Sequence, residues 1–152
     1  MGVTRRTEQG MRNVSQILER KGGRVVAVGK QAPVLEAIRL MAEHHIGAVL
    51  VMEGEQLIGI ASERDYARKV ILQGRSSGDT PVSMIMSAPV ICVSPLDSIG
   101  ECMSIMTERH LRHLPVVEGN RVIGIISIGD LVKEVIEDQK QEISYLQRYI
   151  TS

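Results

Sequence analysis

Two short stretches of the chain carry residue types from which a sugar or phosphate site can be built. They are Gly59-Ile60-Ala61-Ser62-Glu63-Arg64-Asp65 and Gly124-Ile125-Ile126-Ser127-Ile128-Gly129-Asp130. Each runs from an apolar, strand-like segment into a helix-like one. A helix start presents backbone N–H groups and the positive end of the helix dipole, which suits phosphate. A carboxylate there, Asp65 or Asp130, can accept hydrogen bonds from the two vicinal hydroxyls of a ribose, and the hydroxyl of Ser62 or Ser127 can bond ribose or phosphate. The same S-x-x-D spacing is also a helix cap, worth about 1 kcal/mol and needing no ligand. The two mouths differ in one neighbour. Arg64 adds a cation beside Asp65, whereas its counterpart Gly129 leaves a small backbone position where phosphate can approach Asp130 closely.

The elements that must position these residues are written twice. Val25–Val70 lies on Val90–Val135 at a constant offset of 65, with 15 of 46 pairs identical. A duplication of that size makes the functional unit a pair with a pseudo-two-fold axis, so two symmetric mouths would face a shared cleft. In the first copy the patterns predict a strand at Val25–Val28, a helix from Pro33 through Glu43, a hairpin of Ala48–Met52 with Leu57–Ala61, and a helix over Glu63–Leu72. The second copy repeats the order with a strand at Val90–Val93, a helix at Ile99–Arg109, a hairpin of Leu114–Val117 with Val122–Ile126, and a final helix from about Ile128. That helix has Leu131, Val135, Ile136, Ile143, Leu146 and Ile150 available for an apolar face. A short helix at about Asn13–Arg20, stopped by Gly22-Gly23, precedes the repeats. Gln73–Ser83 reads as the link between copies, with a helical turn expected at Met84–Met86.

The expected fold class is therefore α+β: two pseudo-symmetric β-α-β-β-α repeats packed together, with flanking N- and C-terminal helices. The expected divisions are 1–21 for the leading extension and helix, 22–72 for repeat 1, 73–86 for the link, 87–137 for repeat 2 and 138–152 for the terminal helix extension. Met1–Gly10 is polar and predicts a frayed lead-in, with Met11 as an alternative start.

Composition narrows the function. The formal net charge is zero and three Tyr are the whole aromatic content, with no Phe or Trp. Neither a basic field nor a stacking platform is there for nucleic acid. No apolar run reaches the ~18–20 residues that span a bilayer, and the N-terminus has no hydrophobic signal core. These features predict a cytoplasmic protein. Cys92 and Cys102 read as small buried thiols. His44, His45 and His110 sit near helix ends, where a dipole contact explains them. No three- or four-ligand spacing predicts a metal. No nucleophile–base pair or phosphate-binding G-x-x-x-x-G-K-[ST] loop points to catalysis. Tyr145 and Tyr149 are i, i+4 neighbours suited to core or interface packing.

The tandem arrangement, with G-I-A-S-E-R-D and G-I-I-S-I-G-D closing the copies and L-P-V-V-E-G-N-R-V-I-G-I-I-S in the second, resembles a pair of cystathionine-β-synthase (CBS) domains, a Bateman module. The resemblance covers about Gly22 to Glu137. It implies a stand-alone, non-catalytic module that binds an adenosine ligand in the cleft between its copies: AMP, ADP, ATP, S-adenosylmethionine, or NAD or NADH. It assigns ribose binding to Asp65 and Asp130 with Ser62 and Ser127. It assigns base binding to Lys21–Val26, including Arg24 and Val26, for the Asp130 site, and to Met86–Ile91, including Pro89 and Ile91, for the Asp65 site. The phosphates would lie near the start of the second strand of each copy. There the second copy supplies Arg112 and His113, and the first supplies uncharged Gly47 and Ala48. Arg64, Arg112 and His113 are otherwise ordinary solvated or ion-paired groups. The resemblance further implies a flat homodimer that signals to an effector protein. The rival readings are a ligand-free dimerisation module and a nucleotide-processing enzyme.

Overall fold

The computed structural model describes residues 12–151, so the expectations for Met1–Gly10 and Met11 fall outside the described residues. In chain order the elements are α1 (Val14–Lys21), β1 (Ala27–Gly29), α2 (Val34–His44), β2 (Ala48–Glu53), β3 (Gln56–Ser62), α3 (Glu63–Tyr66) running into a π-helical stretch (Ala67–Ile71), a 3-10 turn (Val82–Met84), α4 (Ile99–Arg109), β4 (His113–Glu118), β5 (Arg121–Ser127) and α5 (Ile128–Thr151). They form two compact units. One is Arg24–Ile91; the other joins the described residues up to Gly23 with those from Cys92 onward.

In the Arg24–Ile91 unit, β1 pairs parallel with β2, and β2 antiparallel with β3. Four consecutive residues of β2, Ala48 to Val51, are buried, which is what a central strand covered on both faces requires. Val34, Ala37 and Met41 of α2 meet Val28, Val49, Val51, Ala61 and Val70 in one aliphatic core. Pro33 stands at the N-cap of α2 and gives no side-chain cap. The orphan N–H groups of Val34 and Leu35 are instead taken by the carbonyls of Thr80 and Ser77, at 2.8 and 2.9 Å. The stretch read as a polar link is thus folded back onto its own repeat, with Thr80 buried and Val82 and Ile85 in the core. The helical turn expected at Met84–Met86 forms two residues earlier, at Val82–Met84.

In the other unit β4 and β5 form a two-stranded hairpin. Both hairpins shift register at the equivalent place, Val51/Met52 and Val116/Val117. Both first helices end on a left-handed histidine, His45 (φ 54°) and His110 (φ 55°). One expectation fails here. Val90–Val93 is not a strand; Val93 makes a single parallel bridge with Val116. The N–H of the next residue, Ser94, is taken by the Asp97 carboxylate at 2.8 Å. In the first repeat the Leu50 N–H donates to the Val26 carbonyl at 3.0 Å and extends the ladder; Pro115 stands at the equivalent position and has no N–H to donate to Ile91.

Helix α1 packs against β5 and α5. A Cβ on Gly124 would lie 2.7 Å from Leu18 Cδ2, so the absence of a side chain there lets α1 sit close. Two arginines fix the helix to α5. Arg12 Nη1 and Arg20 Nη1 reach the two carboxylate oxygens of Glu134 at 2.8 and 3.0 Å. Glu134 is 2% exposed. The Glu134 hydrogen bond, against the opposing effect of burial, raises the Arg12 pKa. Of the two thiols only Cys102 is buried; Cys92 is exposed, against expectation. Burial lifts the Cys102 pKa to about 11, leaving it an inert thiol.

Candidate functional site

The Asp130 mouth is assembled from three parts of one unit. Strand β5 ends at Ser127 and α5 starts at Ile128. The Ile128 N–H donates to the Arg112 carbonyl at 2.9 Å, and His113 is the register partner of Ser127. Arg112 and His113 are therefore held beside the helix start by the ladder itself. The Asp130 carboxylate turns back and accepts the Ser127 N–H at 2.8 Å, while the Asp130 N–H donates to Ser127 Oγ at 3.2 Å. From the end of α1, Lys21 Nζ reaches Asp130 Oδ2 at 2.7 Å and the Ile125 carbonyl at 2.8 Å. Burial pushes the Asp130 pKa up, but the Lys21 and Ser127 bonds outweigh it, and the net value lies below the usual 3.8. Burial, then the positive charge of Lys21, lower the His113 pKa below 6.5 against the pull of Asp130.

The Asp65 mouth is built on the same frame. The Glu63 N–H donates to the Gly47 carbonyl at 3.0 Å, and Ala48 pairs with Ser62. Asp65 Oδ2 accepts from the Ser62 N–H at 2.9 Å and the Ser62 hydroxyl at 3.0 Å, and Asp65 N–H donates to Ser62 Oγ at 3.1 Å. The pair forms a reciprocal capping box. The cation comes from another place: Lys69, one turn along, lies 3.5 Å from Asp65 Oδ1 and donates to the Ile85 carbonyl at 3.0 Å. In both mouths a lysine thus joins the acid to a backbone carbonyl.

A family model for the CBS domain matches residues 14–71 and again 82–137. The chain belongs to the CBS-domain family. A solved CBS-domain protein of Burkholderia ambifaria MC40-6, provisionally assigned to signal transduction, is 53% identical with a TM-score of 0.81, over 84% of this chain and 96% of that one. The CBS domain-containing protein YhcV of Bacillus subtilis is 34% identical over 118 residues, which are 78% of this chain and 84% of that protein. The mitochondrial CBS domain-containing protein CBSX3 of Arabidopsis thaliana is 42% identical over 122 residues, 77% of this chain; the match spans 59% of that protein's length.

The CBS repeats bring Lys21, Arg112, His113, Ser127 and Asp130 together in one unit, and Gly47, Ala48, Ser62 and Asp65 in the other. Arg64 is exposed on α3. Arg24 is hydrogen-bonded to His44 Nδ1 at 3.1 Å, and the Val26 carbonyl is taken by the Leu50 N–H at 3.0 Å. Pro89 is exposed and Ile91 half-buried, beyond a point where Ser87 pairs with Ile60 and Met86 lies over Gly59. Sequence reasoning missed Lys69, although its i+4 spacing from Asp65 is a sign of an ion pair on a helix. It also missed Glu134, which nothing local marks as buried. Among the described residues no group of three His, Cys, Asp or Glu side chains could hold a metal ion, and no helix is long and apolar enough to cross a membrane. A groove of about 420 Å³ in the α1–α5 unit is lined by Arg12, Ser98, Met103, Glu134 and Asp138 among others, and includes neither Ser127 nor Asp130. Its acidic lining suits phosphate poorly.

Proposed function

We propose that this CBS-domain protein is a non-catalytic regulatory sensor of adenosine ligands, with the Asp130 mouth as the main ligand position. The observation that carries this reading is charge balance. At the Asp130 mouth the cations Lys21 and Arg112 stand around one carboxylate, and the lowered pKa of His113 keeps that ring neutral near pH 7. The excess is positive. At the Asp65 mouth, Arg64 and Lys69 face Glu63 and Asp65, and the charges cancel. A ribose bound to Asp130 would place its 5′-phosphates within reach of unmatched cations. Lys21 Nζ and the Ser127 N–H both bond Asp130 Oδ2, and a ribose hydroxyl would bond Oδ1. The order of preference that follows is ATP and ADP over AMP, with NAD and NADH also accommodated. S-adenosylmethionine, with no phosphate and a cationic sulfur, comes last.

Ligand shifts the protein toward whichever arrangement binds it better. A homodimer passes that change to an effector protein. Titration calorimetry against these ligands, with GMP as control, tests the reading. Asp130→Asn is expected to abolish most binding and Asp65→Asn to remove less. The reciprocal Ser62–Asp65 cap favours a second reading, in which both mouths are only helix caps on a ligand-free dimerisation module. Absence of binding by every ligand would establish that one instead.

A further inference from the structure

Helix α5 outlasts the repeat that it closes. The CBS match ends at residue 137, and the helix continues to Thr151. Its first turns are anchored: Leu131 is fully buried and Glu134 holds Arg12 and Arg20. At ~100° per residue, Leu131, Glu134, Val135 and Asp138 lie on one face. A second apolar stripe runs about a quarter-turn or more away from it. It consists of Val132, Ile136, Gln139, Ile143, Leu146 and Ile150. Its apolar members are exposed, at 43, 46, 56, 48 and 80% in chain order. The residues are separated by four, three, four, three and four positions. A surface helix packed on its own body turns its apolar stripe inward. This stripe faces water and alternates in the a/d manner of a coiled-coil seam.

We infer that the stripe docks against the same helix of a second copy of this chain, as a parallel two-stranded coiled coil. The residue types select that occupant. Ile136, Ile143 and Ile150 fall at a, and Val132, Gln139 and Leu146 at d; β-branched a residues with Leu at d favour two parallel strands. Gln139 is the one polar position in the seam. In the in-register pair it faces its own copy, whose amide can both donate and accept, and such a polar position fixes register. In that register Val135 flanks Lys140 of the partner subunit and Glu142 flanks Gln147 of the partner subunit, so no like charges meet. The part of the helix past residue 137 would be marginal in isolation; here the buried turns at Leu131 and Glu134 supply the nucleus. The inference does not depend on nucleotide binding.

Two experiments on the full chain test it. In a Cys92→Ser background, Leu146→Cys is compared with Gln141→Cys, a position on the far side of the helix. Mild oxidation is expected to link most of the Leu146→Cys chains into dimers and few of the Gln141→Cys chains. In sedimentation equilibrium, Ile143→Asp with Leu146→Asp is expected to weaken dimerisation by about a hundredfold or more. Both positions are exposed, so the monomer fold is not at risk. Linking at 146 no better than at 141, or a dimer unaffected by the two aspartates, would overturn the inference.

Discussion

Positions 69 and 134 are equivalent in the two repeats, yet one is Lys and the other Glu. In the first repeat Lys69 lies over its own Asp65. In the second, Glu134 clasps Arg20 of α1 and Arg12, which stands just before that helix. The clasp fixes the helix whose last residue, Lys21, supplies the cation that Asp130 would otherwise lack. One mouth is therefore self-sufficient within a single helical turn. The other depends on a helix recruited from outside the repeat. Duplication preserved the hairpin, its register shift and the Ser/Asp turn, while the source of charge diverged. On the proposed function, this divergence would let two copies of one frame differ in ligand or in affinity.

The largest test of this contrast is Glu134→Gln against Lys69→Ala. Removing the buried charge leaves Arg12 with its longer contact to the half-exposed Asp138 at 3.5 Å, at a cost of about 3 kcal/mol and a fall in Tm of roughly 10 °C. Lys69 is 42% exposed and its ion pair is long, so its loss costs less than about 1 kcal/mol. Equal shifts in a thermal melt would remove the distinction. Next come the equivalent glycines. At Gly59→Ala the new Cβ meets Met86 not only at Sδ but at Cγ and Cβ, 2.9 and 3.1 Å away, so the Met86 backbone must shift and stability is expected to fall by about 1–3 kcal/mol. At Gly124→Ala the close atom is Leu18 Cδ2, the tip of a flexible side chain that can turn aside, and the loss is expected to be smaller. Denaturant melts of the two variants compare them.

The pH dependence is smaller and also one-sided. The lowered pKa of Asp130 gives stability that is present above about pH 3.8 and is lost as the pH falls through the folded value. Lys21→Ala is expected to shrink that acid-side loss. The lowered pKa of His113 means that the unfolded chain binds the proton more tightly. Stability is thus undiminished above pH 6.5 and declines below it until the folded pKa is passed. His113→Asn should flatten this decline between pH 7.5 and 5.5, measured by denaturant midpoints. The counterpart Ala48 contributes nothing of the kind.

Much of this was legible from residue order alone. Helix α4 falls on its predicted limits, and both hairpins differ from prediction only by a residue at their ends, because periodicity and turn residues are local signals. The strand at Val90–Val93 was misread because its apolar pattern is sound; the facing strand carries Pro115 where the first repeat has Leu50, and proline has no N–H to extend the ladder. The link was misread because polar composition does not reveal that the carbonyls of Ser77 and Thr80 would cap α2. At the mouths, Ser62, Asp65, Ser127 and Asp130 were found by spacing, and the ladder explains why His113 accompanies them. Glu134 was invisible: its partners lie 122 and 114 positions away, and only the folded chain brings them together.

The order in which the chain is made gives the α1 clasp a further meaning. The unit Arg24–Ile91 is continuous and can close as soon as it leaves the ribosome. Helix α1 is made before it, but its anchors on α5 emerge only after it. Helix α1 must wait through the folding of an entire neighbouring unit before its partners exist. The unit that carries the more cationic mouth is thus complete only once α5 has been synthesised, so a product truncated before α5 would carry the Asp65 mouth alone.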